Sequence, residues 1–324
     1  MLDLVLFVAG GRSFTVEHAL AAADFRDDLV PVREAVLEGL SCLRYAEDEG
    51  FELNPGDLDS AAESYRFDHD LTTAEEIERW LAVHALTVED FSAWLERGAW
   101  RGRFSEDLAA IRGEYRCSDE EVGELLWPEV VFGDHLADFI RQLAARVATQ
   151  LASGGLMAGA DWPSELASME SVYRDKCRDL LSDANLERQL SLQGSSLLRA
   201  DVEMASFASM DAAREAWSCA SSEGEPLGDV AARAGGSLRR VCLFLDDLPE
   251  RLRQPIWSAV PGQVLPPAES DAGAFVCRLC AKIAPSIADD QVRRRIESVL
   301  IERAAEDLIR AHVRWTEALA GRPH

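Results

Sequence analysis

From residue 31 the apolar positions recur at intervals of three and four, the spacing of one helix face. Val32, Val36, Leu40 and Leu43 follow Pro31, a residue suited to the first helical position, and Gly50 suits the stop. Asn54-Pro55 opens a short helix through Leu58, Ala61, Ala62 and Tyr65. Thr73 and Glu76 have the spacing of a capping box, ahead of a stripe of Ile77, Trp80, Leu81 and His84. Thr87 and Asp90 repeat the device before Phe91, Trp94 and Leu95, and Ser118 and Glu121 repeat it again. Up to about residue 112 the pattern predicts a small all-helical domain.

Residues 113–185 also read as helix. His135, Phe139, Leu143 and Val147 mark a segment ending near Ala152; "SGGLMAGADWPSE" interrupts it, and Leu166, Met169, Tyr173, Cys177 and Leu180 stripe the next. After about 195 the period changes. Leu198 to Phe207 alternates as a strand, Ser209 to Ala220 is helical, and "PLGDVAARAGG" is a short helix stopped by paired glycines. Leu238, Val241 and Leu243 lie in a second strand. A short helix follows in "DDLPERLRQPIWSA", which Pro255 must end or kink. In "GQVLPPAESDAGAFVCRL" a β run leads to a Pro pair, a turn at Asp271 and Gly273, and a second run that alternates Phe275, Cys277 and Leu279 against Val276, Arg278 and Cys280. Asp289-Asp290 then starts a long helix through Val292, Ile296, Leu300, Ala304, Leu308, Ala311 and Trp315. The order is helices, a β-α-α-β-α-β-β unit, and a helix: an α+β chain.

Charge narrows the function. The formal net charge is -25, with 11 basic and 30 acidic side chains in residues 1–133 and 22 and 28 in the remainder. Nucleic acid rewards clustered Lys and Arg and is excluded as a partner. The acidic surplus keeps the chain soluble, or attracts a basic peptide or partner. Seven scattered cysteines form no disulfide framework and point to the reducing cytoplasm. The start, "MLDLVLFVAGGR", lacks the basic and long apolar regions of a signal peptide, and no window approaches the ~20 apolar residues of a membrane span.

Two segments carry a family likeness. Residues 36–104, with Leu40 and Ala46 before Gly50, an Asn-Pro-capped helix, "DHDL", a Trp-Leu helix and "LTVEDF", resemble the helical chaperone domain of SurA/PpiC-type proteins. The stretch from Pro226 to Ile296 resembles the parvulin prolyl isomerase domain of the same family with its C-terminal helix. Within that family the chain looks most like a leaderless, cytoplasmic branch linked to ribosomal peptide maturation. The resemblance implies a SurA-like helical domain at 1–112, a helical insert or connector at 113–195, a parvulin-like domain at 196–285, and a C-terminal helix at 286–324 that packs back on the helical domain. Residues 113–195 match poorly.

The family's prolyl site uses two buried histidines, a Cys or Asp, and an apolar pocket. An apolar, water-poor pocket suffices in principle, because a twisted imide has lost the resonance that sets the ~20 kcal/mol barrier. Here the first histidine position falls at Met204, Ala205 and Ser206, the second at Phe275, and the Cys/Asp position in "VAARAGG", which has neither. All six histidines lie outside the parvulin-like unit. The pocket is better kept: Leu248, Leu252 and Trp257 match its apolar residues, with Met204 and Phe275 beside them, although on helix spacing alone they read as core. No catalytic residue is assigned. The expected function is binding of a peptide or unfolded client, such as a precursor peptide in a ribosomal peptide-maturation system, on a degenerate parvulin scaffold. An active prolyl isomerase is the alternative, and a scaffold subunit that binds the maturation enzyme the third.

Other constellations read more plainly. Residues three apart on a strand point to opposite faces, so the thiols of Cys277 and Cys280 should diverge rather than bind zinc. "FDHD" at Phe67–Asp70 has metal-ligand types at a helix end where such residues face water. "VAGGR" has neither phosphate-loop spacing nor ending. Arg293-Arg294-Arg295 reads as a solvated helix face. Trp80, Leu81, Phe91 and Trp94 are core, or else an apolar groove with an acidic rim suited to basic-apolar client segments. No metal or cofactor is expected.

Overall fold

The computed structural model describes residues 3–156, 159–194, 196–270 and 273–316. A hairpin, β1 (Val5–Ala9) and β2 (Arg12–Thr15), is followed by α1 (Val16–Phe25), α2 (Val30–Glu49), α3 (Pro55–Asp68), α4 (Ala74–His84) and α5 (Val88–Arg103). Next come α6 (Leu108–Glu114), α7 (Asp119–Phe132), α8 (His135–Ser153), α9 (Trp162–Leu180) and α10 (Asp183–Gln193). Then β3 (Arg199–Phe207), α11 (Met210–Ser218), α12 (Leu227–Arg233), β4 (Ser237–Phe244) and α13 (Glu250–Ser258) follow. The chain continues through β5 (Ala268–Ser270), β6 (Gly273–Ile283), α14 (Asp290–His312) and β7 (Val313–Trp315). The protein is α+β, with two small antiparallel sheets. Packing divides it into two compact units, Met1–Lys176 with Ala304–His324, and Cys177–Arg303.

The helix starts follow local chemistry. Thr73/Glu76, Thr87/Asp90 and Ser118/Glu121 all form reciprocal capping boxes, and Gly50 closes α2 in the left-handed region at φ 69°. Helix α13 runs past Pro255 to Ser258, although the proline removes one backbone donor; Ile256, 2% exposed, anchors this last turn in the core.

Residues 1–112 are not all helical. β1 pairs with β2 through a two-residue turn at Gly10-Gly11, whose φ values of 56° and 78° suit a tight hairpin. β7 pairs on the other side of β1, Phe7 opposite Trp315, giving the order β2-β1-β7. Trp315, read as the end of a helical stripe, is therefore a strand residue set edge-on to Phe7, with ring centroids 5.5 Å apart. Phe7 also stacks on Phe14 at 4.9 Å. Around these rings Leu6, Leu143, Met169 and Ile309 complete the main core of this unit.

Two ion pairs brace the same unit, the first with a buried carboxylate and the second buried on both sides. Arg12 donates to Glu165 at 2.5 Å, the Glu165 side chain being 2% exposed. Arg97 on α5 lies 3.7 Å from Glu129 on α7, with Gly39 of α2 packed against it.

The second unit is built on a four-stranded antiparallel sheet of order β4-β3-β6-β5. Ala205, Phe207, Ala274 and Val276 face α11 and α12. The alternate residues Ala200, Val202, Cys277 and Leu279 face α13 and the segment before it. The start of α14 packs Val292 and Ile296 against Leu186 and Leu197, capped by Asp289, whose carboxylate accepts from the Gln291 and Val292 amides.

Candidate functional site: the apolar sheet face

Alternation along β3 and β6 decides which side chains reach the sheet face under α13. Met204 stands opposite Cys277, and Ser206 opposite Phe275, so Met204 and Phe275 are diagonal neighbours on one face. With them cluster Leu248 and Leu252, brought in by α13 and the turn before it. Four of the five residues read from the sequence thus meet. Phe275 and Leu248 are 7% and 8% exposed, while Met204 and Leu252 form the half-buried margin.

Trp257 stands apart. It is 46% exposed and lines a hollow of about 320 Å³ with Asp246, Arg253 and Gln254. At this turn of α13 the residue on the sheet face is its neighbour Ile256. Leu245, Leu265 and Cys277 also belong to the face; strand alternation points to Cys277, whereas no local signal singles out Leu245 or Leu265.

The chemistry of this face is spare. Burial pushes the Cys277 thiol up to about 12, so at neutral pH it is a protonated, unreactive group. At the rim an Arg239 Nη2 lies 3.3 Å from the Met204 sulfur. Such a surface can hold an apolar ring or imide by contact, but offers no group poised to pass a proton.

The reverse face is charged beyond α11 and α12. Arg240 donates to Asp201 at 3.0 and 2.5 Å, which holds that carboxyl below its usual range, and Arg278 pairs with Glu203 at 2.6 Å. Cys280 lies near Arg240 on this side, so the thiols of Cys277 and Cys280 diverge.

Other candidates resolve into structure. His69 makes a 2.8 Å hydrogen bond to the Tyr65 carbonyl through Nδ1 and one of 2.9 Å to Asp134 through Nε2, leaving neither ring nitrogen open to a metal. No group of three metal-ligating side chains occurs among the described residues. Leu81 and Phe91 are buried with Tyr65 and Phe132, and Trp80 and Trp94 pack against them. The void among these rings is about 10 Å³, far below the ~300 Å³ of a small ligand pocket. Arg293 bonds to Asp183 and Arg295 to Asp247, so this basic run fastens α14 rather than facing water alone. No described helix is long and apolar enough to cross a membrane.

No family model matches the chain, and no curated protein does. Among the solved structures that match are foldases and SurA-like chaperones. The foldase protein PrsA of Lactococcus lactis is 9% identical over 97% of this chain and 95% of its own, at a TM-score of 0.31. The peptidylprolyl isomerase PrsA of Bacillus cereus is 14% identical over 70% and 88%, at 0.30. A SurA-like chaperone of Campylobacter jejuni is 10% identical over 97% and 99%, at 0.20. Scores of this size do not superpose the chains as one fold, and no site residue is carried across from them.

Proposed function

We propose that the chain binds peptides or unfolded clients in the manner of a chaperone, on a parvulin-type scaffold whose polar catalytic network is missing. The observation that carries the reading is the sheet face: Met204, Phe275, Leu248 and Leu252 gather around a thiol pushed up to about 12, with no histidine in the unit. Contact of this kind stabilises a bound apolar segment in proportion to the area it covers. The client we favour is a precursor peptide of a ribosomal peptide-maturation system. The compartment we favour is the cytoplasm, where seven cysteine thiols stay reduced.

Prolyl isomerase activity is a second reading, favoured by the apolar character of the same face. Exchange NMR on a Xaa-Pro peptide separates the two, since the uncatalysed reaction takes tens of seconds or longer. Binding alone predicts peak shifts at stoichiometric protein and no acceleration at catalytic amounts. Acceleration that disappears in Leu252→Ser would replace the binding reading with the enzyme.

A further inference from the structure

One stripe of helix α3 has no packing partner among the described residues. Ser60, Glu63, Ser64 and Phe67 recur at three and four, while Tyr65 on the opposite side is buried. Phe67 is 77% exposed, the most exposed large apolar side chain among the described residues. Beside it a hollow of about 500 Å³ runs to Leu71 and Thr72. Arg66 is turned away from an incoming ligand, because its guanidinium already donates to the carbonyls of Leu71 and Thr72.

The surroundings set the charge of an occupant. Between Pro55 and Arg79 the chain carries eight carboxylates and two guanidiniums. Asp59, Glu63 and Asp68 have no ion-pair partner among the described residues. By contrast, Arg240, Arg278, Arg293 and Arg295 of the other unit each answer a carboxylate of their own. Unanswered acids around an exposed phenylalanine complement one chemistry: a cation next to an apolar side chain.

We infer that the α3 stripe is a docking surface for Lys- or Arg-flanked apolar segments of an unfolded polypeptide, distinct from the sheet face of the second unit. The apolar side chain covers Phe67 and enters the hollow; the flanking cations meet Glu63, Asp59 and Asp68. This inference rests on the client-binding reading and names both a place and a class of client. Because the carboxylates are exposed, their share weakens with salt, while the contribution of Phe67 does not.

The test is fluorescence anisotropy of the full chain with three labelled 15-residue peptides. One is made of Lys, Leu, Phe and Ser; the second has Glu for each Lys; the third has Ser for each Leu and Phe. The first should bind at least tenfold tighter than the others. Phe67→Ser should weaken it about tenfold, and Asp59→Asn with Glu63→Gln and Asp68→Asn should flatten its salt dependence. These positions are exposed, so the variants should keep the parent's circular dichroism. Equal binding of the Glu peptide overturns the charge argument and the proposal with it. Affinity unchanged by Phe67→Ser but lost in Leu252→Ser overturns the α3 surface and leaves the client-binding reading standing. Absence of binding by all three peptides removes both.

Discussion

The three-stranded sheet and the face of the four-stranded sheet under α13 solve opposite problems with similar residues. Around β1, Leu6, Phe7, Phe14, Leu143 and Met169 are at most 1% exposed, and the rings of Phe7, Phe14 and Trp315 lock together. The nearby carboxylate of Glu165 is buried only because Arg12 answers it. On the α13 face the apolar residues are fewer, and its margin at Met204 and Leu252 is half-buried. A core closed on every side holds a fold. An apolar face with an open margin is a place where a second chain can complete the packing.

The largest test of that contrast is Phe7→Ala. Removing a ring with no exposed surface, at the meeting point of all three strands, should cost about 3–5 kcal/mol and lower the urea midpoint accordingly. A loss under 1 kcal/mol would mean that the three-stranded sheet is not the brace described here.

Gly39→Ala should cost less, about 1–3 kcal/mol, because the new Cβ would lie 2.9 Å from the Cβ of Arg97. Arg97 has little room to give way. It is 4% exposed and held against Glu129, with its Nε and one Nη lacking hydrogen-bond partners.

Leu252→Ser sharpens the comparison from the other side. At a half-buried margin it should cost about 1 kcal/mol or less in stability, yet weaken a bound Xaa-Pro peptide severalfold in the NMR titration. A large stability loss with unchanged binding would make the α13 face plain core.

The smallest effect concerns His18. Its Nδ1 accepts from the Thr15 amide, closing the cap of α1, and partial burial lowers its pKa below the usual 6.5, with Glu17 and Glu165 opposing and Arg12 assisting. A base with a lowered folded pKa contributes stability that is complete above 6.5 and is lost as pH falls through the folded value. Denaturation midpoints should therefore drop on acidification below pH 6.5. The His18→Asn variant should lose this portion of the pH dependence.

What could be read from the sequence was largely what neighbours in the chain decide. The boxes at Thr73, Thr87 and Ser118 are three-residue events, and each appears where its spacing places it. Strand alternation likewise put Phe275, Cys277 and Leu279 on one face of β6. The Gly10-Gly11 pair between two apolar runs carries a readable hairpin signal, masked by its likeness to the glycines of a phosphate loop. Distant decisions were not legible. Nothing near Trp315 announces that its partner is Phe7, and in α13 two adjacent apolar residues, Ile256 and Trp257, differ by only ~100° of helix rotation, so spacing alone does not choose which one faces the sheet.

The pairing of β7 with β1 also sets an order in time. Thr316 donates to the carbonyls of Val5 and Leu6, across 311 and 310 positions. At about 5–20 residues per second on the ribosome, β1 waits on the order of 15–60 s for the strand that covers its second edge. The second unit, whose strands all lie between Arg199 and Ile283, can pair its whole sheet before that moment. The first sheet to begin is thus the last to finish, and for that interval the apolar run Val5–Ala9 has one free edge, exposed to any other strand that arrives first.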